Sequence, residues 1–196
     1  MTHSQTIGTI FQTIVSNMTV YGAPILDPVD GQPITDLDGN DITWTRPVPF
    51  AFGYWPEISN GLLRMGVDKS LDGLKYPLIV MHSSIIEHRG TAQRYLAEID
   101  CKFVLIAETK PNYSTLDRIA NIYEPVLYPL YASFLDALSS SHLLDLSQKD
   151  NLGQIKHDKQ DLFYMGSELK NQNQLSDIVD AIELTFKNLK IRKFTY

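Results

Sequence analysis

The residues best suited to chemistry cluster in His82-Ser83-Ser84-Ile85-Ile86-Glu87-His88, which combines two imidazoles, a carboxylate and two hydroxyls. A metal site would take His82, Glu87 and His88 as ligands. Helical zinc ligands share a face through i, i+4 spacing, which His82 and His88 lack, and no cysteine or further histidine lies close in sequence. A hydrolase would use Ser83 or Ser84 as nucleophile, but the sharp strand-to-helix elbow needs flanking glycines and residues 81–86 contain none. A polar loop following a strand fits this segment better. Asp36-Leu37-Asp38-Gly39-Asn40-Asp41 alternates oxygen ligands around a glycine, as a calcium loop does. It lacks the closing glutamate of an EF-hand, so a tight hairpin turn accounts for it better. Neither GxGxxG nor GxxxxGK[ST] occurs, so no cofactor is expected. Cys101, the single cysteine, lies on the apolar parity of a strand and reads as a small core residue.

The elements around these residues are more informative. Ile7, Ile10, Phe11, Ile14, Val15 and Met18 recur at helical spacing and predict an amphipathic helix over 7–18. Residues 21–49 then change character, with five prolines at positions 24, 28, 33, 47 and 49. Asp30-Gly31 and Asp38-Gly39 are tight-turn dipeptides, so this stretch predicts an arm with two small hairpins that docks on a neighbour. Phe50 to Tyr54 predicts a short strand, and Trp55-Pro56-Glu57 opens a helix running to Gly66. The apolar run over 76–82 predicts an inner strand.

Residues 95–109 alternate. Tyr95, Ala97, Ile99, Cys101, Phe103, Leu105 and Ala107 share one face, while Glu98, Asp100 and Lys102 take the other. So long a strand is expected to bend at a bulge or to project from the body. Ser114 and Asp117 form a capping box for a sheet-covering helix, whose Pro125 and Pro129 predict a kink near 123–128. Residues 143–161 are polar and predict a loop or irregular segment. The last strand, 178–191, carries Ile182, Leu184 and Phe186 on one parity and then switches to Leu189 and Ile191, which signals a bulge.

The whole predicts one α+β domain over 1–196. It has a core (50–196) whose antiparallel or mixed sheet is covered by a long kinked helix, and an extended Pro/Gly/Asp-rich arm (21–49). With 43% hydrophobic and 20% charged residues, the chain has an ordinary globular composition. A net charge of -6 argues against coating nucleic acid, the one dense basic patch being 187–193. A lone cysteine fits a reducing compartment, no apolar run is long enough to cross a bilayer, and the first residues lack the pattern of a secretory signal. Origin in a cytoplasm without membrane association is therefore expected.

Phe52-Gly-Tyr-Trp-Pro-Glu-Ile58, Lys75-Tyr-Pro-Leu-Ile-Val80, Tyr123-Glu-Pro-Val-Leu-Tyr-Pro-Leu-Tyr131 and Asp180-Ala-Ile-Glu-Leu184 together resemble structural proteins of tailed bacteriophages infecting Bacteroidetes, including crAss-like phages. The order of elements is similar to that of tail-terminator and neck-ring proteins, from which the 21–49 insertion departs. The resemblance implies a tail-terminator-like fold and a virion role without catalysis, assembled in the host cytoplasm. It implies a head–tail connector ring, neck, collar or terminator, of sixfold or twelvefold symmetry, meeting portal, collar or tail proteins while DNA only passes through the channel. For such contacts the interface candidates are Asp30, Gly31, Asp38, Gly39 and Trp44 in the arm, with Tyr113 and Tyr128 beside the helix. Tyrosines supply apolar area with a polar tip, which suits interfaces, although Tyr123 and Tyr131 are equally explained by packing on the sheet. Two alternatives remain at this point: a small hydrolase or metalloenzyme using the His82–His88 segment, and a soluble adaptor that binds through the 21–49 arm.

Overall fold

The computed structural model describes residues 3–24, 43–67, 74–82, 86–88, 95–145, 155–162 and 177–192. The elements in chain order are α1 (His3–Ser16), β1 (Thr19–Pro24), β2 (Thr43–Pro47), β3 (Phe50–Gly53), α2 (Trp55–Val67), β4 (Leu78–His82), β5 (Ile86–His88) and β6 (Tyr95–Glu108). There follow α3 (Thr115–Arg118), a π-helical stretch (Ile119–Leu127), α4 (Tyr128–Ser140), β7 (Leu144–Asp145), β8 (Asp158–Leu162) and β9 (Val179–Arg192). The architecture is α+β, as the sequence predicts, with a mixed sheet.

The spine of that sheet is the antiparallel pair β6–β9, with fourteen residues in each strand. On one side of β6 lie β4, antiparallel to its second half, and β5, antiparallel to its first half. β3 extends the sheet beyond β4 in parallel. On the far side of β9 lie β8 and β7, both antiparallel. The odd residues of β6 from Ile99 to Ala107 join Ile182, Leu184, Phe186, Leu189 and Ile191 of β9 in the main core. That core is covered by Ile7, Phe11 and Ile14 of α1 and by Tyr123, Leu127, Leu130, Phe134 and Leu138 of the long helical segment. Val104, Ile106, Val179 and Ala181 face the opposite side, where Ile58 and Leu62 of α2 cover them together with Leu78 and Val80. β4 is therefore buried on both faces, which is why its sequence is continuously apolar rather than alternating.

The expected bulge lies in β9. Ile99 pairs with Leu189 and Cys101 with Phe186, so Lys187 and Asn188 oppose the single residue Asp100. Asn188 takes a left-handed backbone, φ 55°, and its N–H donates to Asp100 Oδ1 at 2.7 Å. Asparagine tolerates that conformation better than other side chains. The bulge shifts Leu189 and Ile191 onto the core parity while β6 keeps its own from Ala97 onward, and a second register shift lies at the start of β6, between Tyr95 and Ala97. On the solvated face, Glu98 pairs with Lys190 at 3.4 Å and Lys102 with Glu183 at 2.8 Å, so the alternating charges of β6 meet opposite charges on β9.

Three expectations gain detail. Where Pro125 and Pro129 predict a kink, the chain widens into the π-helical stretch, which carries Pro125 inside it, and Pro129 falls in the first turn of α4, where a missing N–H costs little. Tyr128 N–H then bonds to Tyr123 O, five residues back. Second, residues 143–161, expected to be irregular, contribute β7 and the start of β8, while 146–154 lie outside the described residues. Third, the arm is rooted in one antiparallel ribbon, β1–β2, pairing Thr19 with Pro47 and Tyr21 with Thr45. The two expected hairpin turns, Asp30-Gly31 and Asp38-Gly39, lie outside the described residues, as does 25–42 as a whole. Among the described residues, no helix is long and apolar enough to cross a membrane.

Candidate functional site

Where β8 runs beside the helical segment, alternate residues of the strand meet aromatic side chains. His157, Lys159 and Asp161 share one parity. Lys159 Nζ sits 5.0 Å from the Tyr128 ring centroid and 5.6 Å from that of Tyr131, and it bonds Asp161 Oδ1 at 2.6 Å. Tyr128 Oη reaches towards Asp161 Oδ2 at 3.5 Å, and its ring meets Tyr123 edge to face at 5.6 Å. The ammonium is thus held by two ring faces and a carboxylate while remaining solvated, a geometry worth about 0.5 to 1 kcal/mol per cation–π contact.

Deeper in the same cluster, His157 stacks on Phe186 at 5.3 Å and is hydrogen-bonded at both nitrogens. Nδ1 lies 2.7 Å from Ile155 O, which can only accept, so the ring carries its proton there. Nε2 then accepts the Tyr131 hydroxyl at 2.7 Å. Burial pushes the Tyr131 phenol above its ordinary range, while Lys159 pulls it down and Asp161 pushes it up. With both imidazole nitrogens engaged inside the protein, this pair holds β8 against the helix. Tyr123 anchors the same strand from below: its hydroxyl donates to Leu162 O at 2.9 Å and Ala181 O at 3.0 Å. Burial, and then the charges of Asp180 and Asp161, push its phenol far up.

The helix start that positions these tyrosines is also tied to the sheet. Asp117 N–H donates to Ser114 Oγ at 3.2 Å and Ser114 N–H to Asp117 Oδ2 at 3.0 Å, completing the expected capping box. One turn on, the buried Arg118 guanidinium bonds Asp180 Oδ1 at 2.8 Å, Thr109 Oγ1 at 3.2 Å, Tyr113 O at 3.2 Å and Lys110 O at 3.1 Å.

Of the interface candidates among the described residues, Tyr128 joins this surface, with 37% of its area exposed, and Tyr113 does not. Tyr113 is half-buried before α3, gives its carbonyl to Arg118, and has Lys110 Nζ 5.5 Å from its ring centroid. Trp44 lies on strand β2, its side chain outside the described residues. Asp30, Gly31, Asp38 and Gly39 lie outside them entirely. Lys159, Asp161 and His157 were not singled out in the sequence. Their period of two was present, but in a polar stretch without the apolar alternation that marks a strand.

For the chemical alternatives, His82 ends β4 with its ring 6.4 Å from Tyr54 in an edge-on contact. Glu87 and His88 lie on β5 opposite Ile99 and Glu98, with their side chains outside the described residues, as are Ser83 and Ser84. Among the described residues no group of three His, Cys, Asp or Glu side chains converges as a metal site. Cys101 is buried, and burial drives its thiol pKa far above the ordinary range. No protein-family model and no curated protein matches the chain.

Proposed function

We propose that this protein is a virion structural subunit, forming a head–tail connector ring of the neck, collar or tail-terminator type around a DNA channel. The observation that carries the reading is the unlike character of the two sheet edges. β3, Phe50-Ala-Phe-Gly53, is an uncharged edge paired on one side only among the described residues. The opposite edge, β8, reads Asp158-Lys-Gln-Asp-Leu162 and carries the Tyr128–Lys159–Asp161 surface. A ring requires a heterologous contact, in which one face receives a different face of the next copy. An apolar edge is a ready template for strand pairing, whereas a charged edge resists pairing with itself. One edge of each kind favours head-to-tail closure over symmetric dimers. The resemblance of the Phe52–Ile58, Lys75–Val80, Tyr123–Tyr131 and Asp180–Leu184 motifs to phage structural proteins supplies the setting, including the tail-terminator-like fold and portal or tail proteins as neighbours.

Disulfide trapping tests the edge contact. Ala51→Cys and Gln160→Cys in one chain, oxidised in the assembled state, are expected to give a ladder of covalent oligomers. Neither single variant should do so. A double variant that stops at covalent dimers, or that never cross-links while assembled, overturns the proposed contact.

The adaptor reading keeps one supporting observation, the β1–β2 ribbon, which presents the arm from a fixed base. Deleting 25–42 separates the two: an adaptor loses its partner, whereas a ring retains its edge-to-edge contacts.

A further inference from the structure

α1 and α4 end side by side, and a cavity of about 460 Å³ opens between their last turns and the turn that follows α4. Its polar lining includes Thr13, Asn17, Ser133, Asp136, Ser140 and His142. That volume falls within the range of small-molecule sites. Three independent features give the cavity one electrostatic sign. Among the described residues, Asp136 is its one acidic lining residue and neither lysine nor arginine lines it, His142 being the other titratable group. The C-terminal turns of both helices, which carry partial negative charge, border it, and neither helix has a basic residue in its last turn to offset that charge. Finally, two side chains on the wall already direct a donor at backbone carbonyls of α1. Thr13 Oγ1 donates to Thr9 O at 2.9 Å, and Asn17 Nδ2 donates to Thr13 O at 3.3 Å. Thr13 Oγ1 and Asn17 Oδ1 therefore remain as acceptors, beside the Asp136 carboxylate.

We infer that this cavity is a binding site for an organic cation rich in N–H donors, a guanidinium or alkylammonium group, held by Asp136 and the acceptor-lined ends of α1 and α4. The group arrives either on the side chain of a neighbouring protein or as a free small amine. The site is distinct from the sheet edges of the proposed ring contact and does not depend on that reading.

The test uses the isotope-labelled full chain in amide NMR titrations. The probes are N-acetylarginine methylamide, its uncharged isostere N-acetylcitrulline methylamide, and putrescine. Cationic probes should shift the amides of Asn17, Asp136 and Ser140 saturably, and the citrulline probe should bind about three- to fivefold more weakly, the size of an exposed ion pair. Asp136→Asn should weaken the arginine probe by the same factor, with unchanged helical circular dichroism because Asp136 is exposed. Ser133→Arg, one turn before Asp136, should occupy the cavity from within and abolish probe binding. N-acetylarginine methylamide binding more tightly than putrescine assigns the cation to a protein partner, and the reverse order assigns it to a free amine. Equal binding of arginine and citrulline probes overturns the proposal. So does indifference to Asp136→Asn, or an absence of shifts around the cavity with every cationic probe.

Discussion

Arg118 shows most clearly what a single residue does here. Its guanidinium is buried against Asp180 and bonded to three further oxygens, so it ties the start of the sheet-covering helix to β9 and to the end of β6. Removing one member of a buried pair strands the other's charge. Arg118→Met should therefore lower unfolding free energy by about 3 to 5 kcal/mol in urea denaturation, and Arg118→Met with Asp180→Leu should recover much of the loss. Equal losses in the single and double variants would show that the pair is not the cause. Asp117 gives a pH-dependent counterpart. Hydrogen bonds from the Ser114 hydroxyl and N–H hold its carboxyl below the usual range. A carboxyl depressed in the folded state contributes stability that is fully present above the unfolded pKa of about 4 and is lost as pH falls through the lower folded value. Ser114→Ala should move the Asp117 midpoint upward in an NMR titration and narrow that acid window. At Cys101, burial should make native-state reaction with a thiol reagent track global opening, so its rate should rise with urea in step with unfolding.

Elements were legible in the sequence wherever their signals were local. Ser114 and Asp117 carry the helix start within four residues, and the parity switch from Phe186 to Leu189 marks the bulge in β9. The alternation of β6 also places Ile99, Cys101, Phe103, Leu105 and Ala107 on one buried face, because every second residue meets the same covering layer. β8 was not legible, since half-solvated edge strands need no apolar face and its Lys159 and Asp161 gain their meaning from Tyr128 and Tyr131 some thirty positions earlier. The π-helical stretch was hidden for another reason: Pro125 announces a disturbed helix without saying whether the backbone bends or widens. The bulge makes the element-scale prediction. Asn188→Gly should be nearly neutral, whereas Asn188→Val, forced into a left-handed backbone, should cost about 1 to 2 kcal/mol in thermal or chemical unfolding. Equal stability of the two variants would remove the backbone argument for asparagine there.

At the scale of the whole molecule, the fold is an open sheet with two long central strands, helices on both faces and unlike edges. The candidate surface forms where β8 lies against the helix, and Tyr128 is the one described candidate side chain that stands in it. The central claim is that copies of this chain close head to tail. Native mass spectrometry of the full-length protein, alone and with portal protein, tests it directly. The expected result is one dominant closed species of six or twelve subunits, which Lys159→Glu with Tyr128→Ala shifts towards monomer without loss of folding. A protein that stays monomeric with its neighbours present, or that forms only dimers, would contradict it.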